Sequence, residues 1–460
     1  MSLYRGLGLI GAAGVTLGSI IGTGVFLKAR VMTCNVETPV LVLLAWFLAG
    51  LLSLAGALTY AELSAMMPKA AGEYVILNRA YGPRLGFLWG WTQSTIAYTG
   101  GQAAKAVAFA IFLNVLLGGA LDVNYVTLEF LSIEAGFGGI QLAALSTIAI
   151  VTLVNLAAVT VTGRLAVALT SVKIVIILAI GIGAFLAADG DWARLLESGS
   201  DAGCEDVAAA ARTGTAGFAA AMLGALWAYD GWNYMVVIAG EIKDPERTIP
   251  RGLIGGVGVV IGLYLFVNLA YFYVLTPAEV ASVSPASSVA AEVTRKFLGA
   301  AAVSLIAASM LVSTLGSLHS GVLTGARIPF VMARDRLFFS VMNHLSPRTR
   351  VPTRGVLWIG FWSGVLALSG SFDKLTDYVI FAEFLFYGLV AASIFLLRRR
   401  LPETHRPYHA WGYPVVPALF VITSGWLVVN TLLTSPMQSL IGLVLIALGL
   451  PFYEYWSRRR

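Results

Sequence analysis

Apolar positions along this chain fall into long unbroken runs, not into the two-residue alternation of half-buried strands. A helix needs about 20 apolar residues to cross the hydrocarbon of a bilayer. Runs of that kind are read at roughly 7–30, 39–66, 85–117, 141–161, 165–187, 216–240, 252–275, 298–326, 353–370, 376–397, 413–434 and 437–456. The pattern predicts an all-α membrane protein with twelve transmembrane helices. Without alternating strands there is no closed barrel, and helices remain the way to satisfy the backbone in lipid. The first run is too long for a secretory signal and no small-residue cleavage site follows it, so it is expected to stay as a span.

Two runs are interrupted. The first contains "GSIIGTGVF", Gly18 to Phe26, inside a stretch without charge from Leu7 to Leu27. Glycine in a helix interior costs about 1 kcal/mol relative to alanine. The sixth run contains "GALWAYDGWNYM", Gly224 to Met235, with a helix-breaking Asp-Gly pair. The first and sixth runs correspond if 7–187 and 216–397 are two five-helix repeats. Residues 413–456 then form two additional helices of one transport domain over 1–460. Interrupted spans in matching positions point to a transporter binding site. An unwound segment frees NH groups for an anion at a half-helix N-terminus and carbonyls for a cation. A zwitterion fits such a pair. Close packing of small residues accounts for Gly11, Gly14 and Gly18. It does not account for Asp230.

Composition narrows the class. Hydrophobic residues make up 58% of the chain and charged ones 12%, about half the usual charged share of soluble domains. The four His and two Cys have no metal-ligand spacing. No phosphate-binding loop opens a soluble helix. A metal site, a cofactor and an enzyme are therefore not expected. Orientation follows from the basic residues. With the N-terminus inside, the inner segments hold 21 of the 30 Lys and Arg and the outer segments hold seven: Lys28, Arg30, Arg194, Arg212, Arg295, Lys296 and Lys374. This bias puts both termini in the cytoplasm. The net charge of +6 then faces anionic lipid and implies no nucleic-acid partner. Lys105, Lys173, Asp230 and Glu383 lie inside spans, where ionisable groups are functional candidates.

The ordered set "GSIIGTGVF", "LTYAELSAMMPKAAGEYVILNRAYG", "WAYDGWNY" and "GEIKDPERTIPRG" resembles the amino acid–polyamine–organocation superfamily. It is most similar to the sodium-independent exchangers of the L-type amino acid transporter family. The resemblance runs from about Leu7 to Arg400. It implies a leucine-transporter-like fold, with a 5+5 inverted repeat and helices 1 and 6 unwound at mid-membrane, that works by alternating access. It places the substrate carboxylate at the NH groups of Thr23 and Gly24, beside Gly22. It places the substrate ammonium at the carbonyls of Ile20, Trp227 and Asp230. Trp227 matches an aromatic lid, and Gly100 and Gly101 in "AYTGGQ" match positions flanking the substrate side chain. Lys173 matches a fifth-helix lysine whose ammonium replaces a sodium ion, with first-break carbonyls and Ser313 or Ser317 as partners.

Several readings stay open. Asp230 and Glu383 suit a proton-coupling role, a cationic amino acid or polyamine substrate, or hydrogen-bonded positions without substrate contact. Lys105 reads as a snorkelling or carboxylate-paired lysine. Glu62 and Glu241 read as inner-gate acids paired with nearby arginines. Cys34 and Cys204 share the outer side, so a bridge between them is possible. The loop "GGALDVNYVTLEFLSIEAGFGG" lacks the cysteine that links eukaryotic members to a glycoprotein, so no obligatory glycoprotein subunit is expected. The expectation is a multi-pass protein of a bacterial plasma membrane that exchanges or takes up neutral L-amino acids. The alternatives are a cationic or proton-coupled carrier and a non-transporting amino acid sensor on the same fold.

Overall fold

A computed structural model describes residues 3–130, 133–199, 203–205, 207–284, 287–369, 372–434 and 436–459. Arg460, counted above, lies outside them, as does the side chain of Lys374. Among the described residues the chain is predominantly helical, and helix occupies every predicted apolar run. Among the described residues, eight helices are long and apolar enough to cross a membrane by length and composition, and Gly139–Val154 and Thr353–Leu368 are shorter apolar helices. Proline opens Pro39–Met66, Pro83–Thr92 and Pro245–Val274, in the turn where its missing NH is not needed. Ile10, Leu153, Val175, Leu186, Ile422 and Leu433 are exposed, as a lipid-facing surface requires.

The hydropathy pattern misses what lies between the runs. Gly72–Tyr81, Pro277–Ala281 and Val289–Leu298 are short helices, and Asn124–Phe130 pairs antiparallel with Ile133–Gly138. These segments are too polar or too short to register as apolar runs. The first run also extends further than its hydropathy suggests, to Val36, because Lys28 and Arg30 continue the helix.

Both predicted breaks are present. The first helix is split into Leu9–Ile20 and Gly24–Val36, and Gly214–Tyr229 stops at Asp230 before the chain resumes helix at Tyr234–Val237. Leu9–Ile20 packs on Val159–Ala187, Gly24–Val36 on Gly214–Tyr229, Pro39–Met66 on Pro245–Val274, and Tyr98–Leu116 on Ala301–Gly325. The two breaks therefore meet inside a cage of long helices. Glycine permits this. A Cβ on Gly24 would lie 2.5 Å from Ala228 Cβ, and one on Gly18 would lie 2.5 Å from Thr170 Oγ1. Gly231 has φ +99°, a backbone that suits glycine and few other residues.

Cys34 and Cys204 are joined in a disulfide, which the sequence left open. It pins the far end of Gly24–Val36 to the chain at Cys204. Arg30 reinforces the contact by donating to Gly203 O at 2.6 Å and Ala281 O at 3.2 Å.

Candidate functional site

The two breaks are tied to each other. Ser19 Oγ lies 2.8 Å from Gly231 O, sharing its one proton between that carbonyl and those of Thr16 and Val15 in its own helix, at 2.7 and 3.0 Å. Tyr264 Oη lies 3.1 Å from Ile20 O and 3.0 Å from Ala228 O, sharing its proton between them. Neither break is loose coil. Each is a turn held by hydrogen bonds to the other break or to Tyr264.

A small cavity of about 40 Å³ lies between them, lined by Ser19, Ile20, Gly22, Thr23, Gly24, Lys105, Trp227, Ala228, Asp230, Thr314 and Ser317. The NH groups of Gly22, Thr23 and Gly24 donate to nothing among the described residues. They open the Gly24–Val36 helix, where the first NH groups have no intrahelical partner and the dipole is positive. A carboxylate placed there meets donors already oriented. The Ile20 carbonyl keeps one lone pair beyond the Tyr264 bond, since a carbonyl oxygen carries two. The Trp227 carbonyl accepts from Asp230 N at 3.2 Å.

Lys173 is buried beneath the first break. Its ammonium donates to Gly18 O at 2.7 Å, Ile21 O at 2.6 Å and Ser317 Oγ at 2.9 Å. Those three acceptors use all three of its protons. Ser317 Oγ and Ser313 Oγ also touch the Ile21 carbonyl, at 3.2 and 3.3 Å, and Ser313 Oγ reaches Gly22 O at 3.1 Å. Gly316 makes room for the lysine stem, since a Cβ there would lie 2.8 Å from Lys173 Cε. The arrangement brings one positive charge against the carbonyls that the unwinding released.

The structure separates the other candidates. Gly100 and Gly101 are buried in Tyr98–Leu116 and do not line the cavity; a Cβ on Gly101 would meet nothing within 4 Å. Glu383 lies outside the cavity wall and accepts from Gln93 Nε2 at 3.1 Å. Asp230 lines the cavity and accepts from Tyr387 Oη at 2.7 Å. Of the two readings of Lys105, the structure does not show snorkelling, while the carboxylate pairing persists as a longer-range attraction to Asp230 in the same cavity wall. Lys105 lines the cavity, its Nζ lies 3.3 Å from Tyr234 Oη and 5.4 Å from the Tyr234 ring centre, and it forms no ion pair among the described residues. Ser94, Tyr98, Gln102 and Lys105 share one helix face by spacing, a polar stripe that marks Lys105 as inward-facing.

A polar chain that sequence reading missed runs from Asp230 toward the N-terminal face. Tyr387 Oη also lies 3.2 Å from Asn233 Oδ1, and Asn233 Nδ2 donates to Glu73 at 3.2 and 3.1 Å. Glu73 sits in the short Gly72–Tyr81 helix and is fully buried. Burial pushes its carboxyl up to about 8, against the pull of hydrogen bonds from Asn233 and Tyr60, with Asp230 adding repulsion. Near the same face, Glu241 pairs with buried Arg327 through two bonds of 2.9 and 2.8 Å. Glu62 holds Arg398 at 2.8 and 2.6 Å and Arg406 at 3.5 Å. Leu7 N donates to Glu241 O, and Lys243 N donates to Leu7 O. These contacts tie the segments on that side of the molecule to one another.

The chain matches the family model "Amino acid permease" over residues 7–449. It is 29% identical to the serine/threonine exchanger SteT of Bacillus subtilis, over 100% of this chain and 98% of that protein. It is 28% identical to the human b(0,+)-type amino acid transporter 1, over 98% of this chain and 88% of the relative. It is 26% identical to the human large neutral amino acids transporter small subunit 2, over 100% and 82%.

Proposed function

The chain belongs to the amino acid permease family and is a multi-pass membrane protein that transports amino acids; from that premise we propose that it is a sodium-independent exchanger of neutral L-amino acids working by alternating access. Its twelve spans form two inverted five-helix repeats, 7–187 and 216–397, with 413–456 as two additional helices. Both termini are cytoplasmic. The exchanger named for its Bacillus relative favours exchange, and small neutral substrates, as the working mode. No glycoprotein subunit is needed.

One observation carries the reading. The Lys173 ammonium occupies the carbonyl cluster of the first break, where a coupling cation would otherwise be required to neutralise inward-facing dipoles. A protein-borne charge makes that neutralisation permanent and uncouples transport from an ion gradient. Around it, Thr23 and Gly24 receive the substrate carboxylate, and the carbonyls of Ile20, Trp227 and Asp230 receive the ammonium. Trp227 closes the site from outside, and Ser313 and Ser317 hold Lys173 in place. Gly100, Gly101 and Glu383 act behind the wall of the closed site.

Asp230 in the cavity wall favours a second reading, a cationic substrate. Lys105 in the same wall opposes it, because an ammonium or guanidinium there would meet a positive charge as well as a negative one. Neutral substrates with small or hydroxylated side chains avoid the conflict. The test is exchange in liposomes. Uptake of labelled alanine that depends on internal alanine, serine or threonine, and that arginine competes for poorly, supports the reading. Arginine uptake faster than alanine uptake establishes the cationic one.

A further inference from the structure

A second cavity, far larger at about 1230 Å³, opens on the N-terminal face. Its lining includes Arg5, Lys69, Arg79 and Arg334, with Asp335 as its one carboxylate. Asp335 already accepts from Tyr74 Oη at 2.9 Å. Among the described residues, the side chains of Arg5, Lys69 and Arg79 make no hydrogen bond or ion pair, and that of Arg334 has only the face of Phe330, 5.8 Å from its ring centre. The inner-face basic residues of the proposed orientation otherwise include several with engaged partners: Arg84 with Glu454, Arg327 with Glu241, and Arg398 with Glu62. Four unneutralised cations around one concavity repel each other, and a multivalent anion removes that repulsion.

The geometry points to a binding site for a phosphate-bearing ligand in this cavity, distinct from the amino acid site. Three guanidinium forks suit phosphate oxygens. The volume exceeds the roughly 300–1,000 Å³ of ordinary ligand pockets, so a nucleotide or a lipid headgroup fits where a bare chloride leaves most of the space empty. Met66, Met67, Phe330 and Leu401 supply apolar wall for the part of the ligand that is not phosphate.

The cations come from separate segments: Arg5 from the chain before the first helix, Lys69 and Arg79 from around Gly72–Tyr81, and Arg334 from the end of Arg327–Arg334. A bound polyanion ties these segments together. In the alternating-access reading, on which this consequence alone rests, occupancy slows opening of this face.

Binding is tested on purified full-length protein in nanodiscs, at fixed ionic strength. One arm uses neutral phosphatidylcholine with added ATP, tripolyphosphate or inorganic phosphate, read by equilibrium dialysis and by the unfolding midpoint. The other arm replaces part of the lipid with phosphatidylglycerol. Saturable binding or stabilisation in either arm, weakened at least tenfold by Arg79→Gln with Arg334→Gln, supports the site; the arm that responds identifies the source of the phosphate. Arg5→Gln with Lys69→Gln provides a second variant should the first not fold. Equal binding by wild type and both variants, or no response to any probe in either arm, overturns the proposal whatever the protein transports.

Discussion

The ammonium of Lys173 lies 2.6 Å from the carbonyl oxygen of Ile21, the residue at which the first helix stops. A charge from one helix thus completes the broken end of another. A buried ammonium is tolerated only where its protons are taken by acceptors, and here three are. Lys173→Ala is expected to cut exchange at least tenfold while the protein still purifies as a folded species. Gly316→Val is expected to act in the same direction, because its side chain would occupy the space of Lys173 Cε. Flux and size-exclusion profiles of both variants check this.

The contact between Gly24 and Ala228 sets the spacing of the two breaks. A methyl group on Gly24 cannot be accommodated 2.5 Å from Ala228 Cβ without separating the helices. Overpacking of this kind costs about 1–3 kcal/mol. Gly24→Ala is expected to weaken binding of every substrate alike, and adding Ala228→Gly is expected to restore only part of it, because Ala228 Cα, 2.8 Å from the added methyl, stays in place. A double variant no better than the single one would place the defect elsewhere.

Glu73 predicts a pH dependence. Its carboxyl is shifted from 4.5 to about 8 where it is buried, so the buried arrangement favours the protonated form. Relative to a state in which Glu73 meets water, that arrangement holds its full advantage below about 4.5 and loses it as pH rises to about 8. Exchange is therefore expected to rise between pH 5 and pH 8. Glu73→Gln is expected to be flat across this range, at the level wild type shows near pH 5. Initial rates in pH-clamped liposomes decide it.

The ion pairs on the N-terminal face differ in replaceability. Arg327 is buried and is the one ion-pair partner of Glu241 among the described residues, whereas Glu62 has both Arg398 and Arg406. Removing one member of a buried pair costs about 3–5 kcal/mol. Arg327→Met is expected to lower the unfolding midpoint more than Arg398→Met. Replacing Glu241 with Leu in the Arg327→Met background is expected to recover part of that loss.

Some of this was legible in the sequence for a simple reason. In an apolar run every glycine pair and every charge carries a cost, so "GTG", "AYDGW" and Lys173 stood out against their background. The helices that line the site followed from hydropathy alone. Tyr387, Asn233 and Glu73 did not stand out, because their meaning lies in a junction of three distant segments and none is unusual where it stands. Lys105 read as snorkelling or carboxylate-paired because length and depth permit either; its place on one face with Ser94, Tyr98 and Gln102 was the signal for an inward position, beside Asp230 in the cavity wall. Cys34 and Cys204 could be placed on one side, but not at bonding distance, from the order of the spans. The paired strands Asn124–Phe130 and Ile133–Gly138 lay in a loop whose polarity hid them.

The central claim is that Lys173 stands in place of a coupling ion, and labelled alanine exchange measured in sodium buffer and in sodium-free choline buffer tests it directly. The account predicts equal initial rates in the two buffers for the wild type. Exchange that requires sodium in the wild-type protein would contradict it.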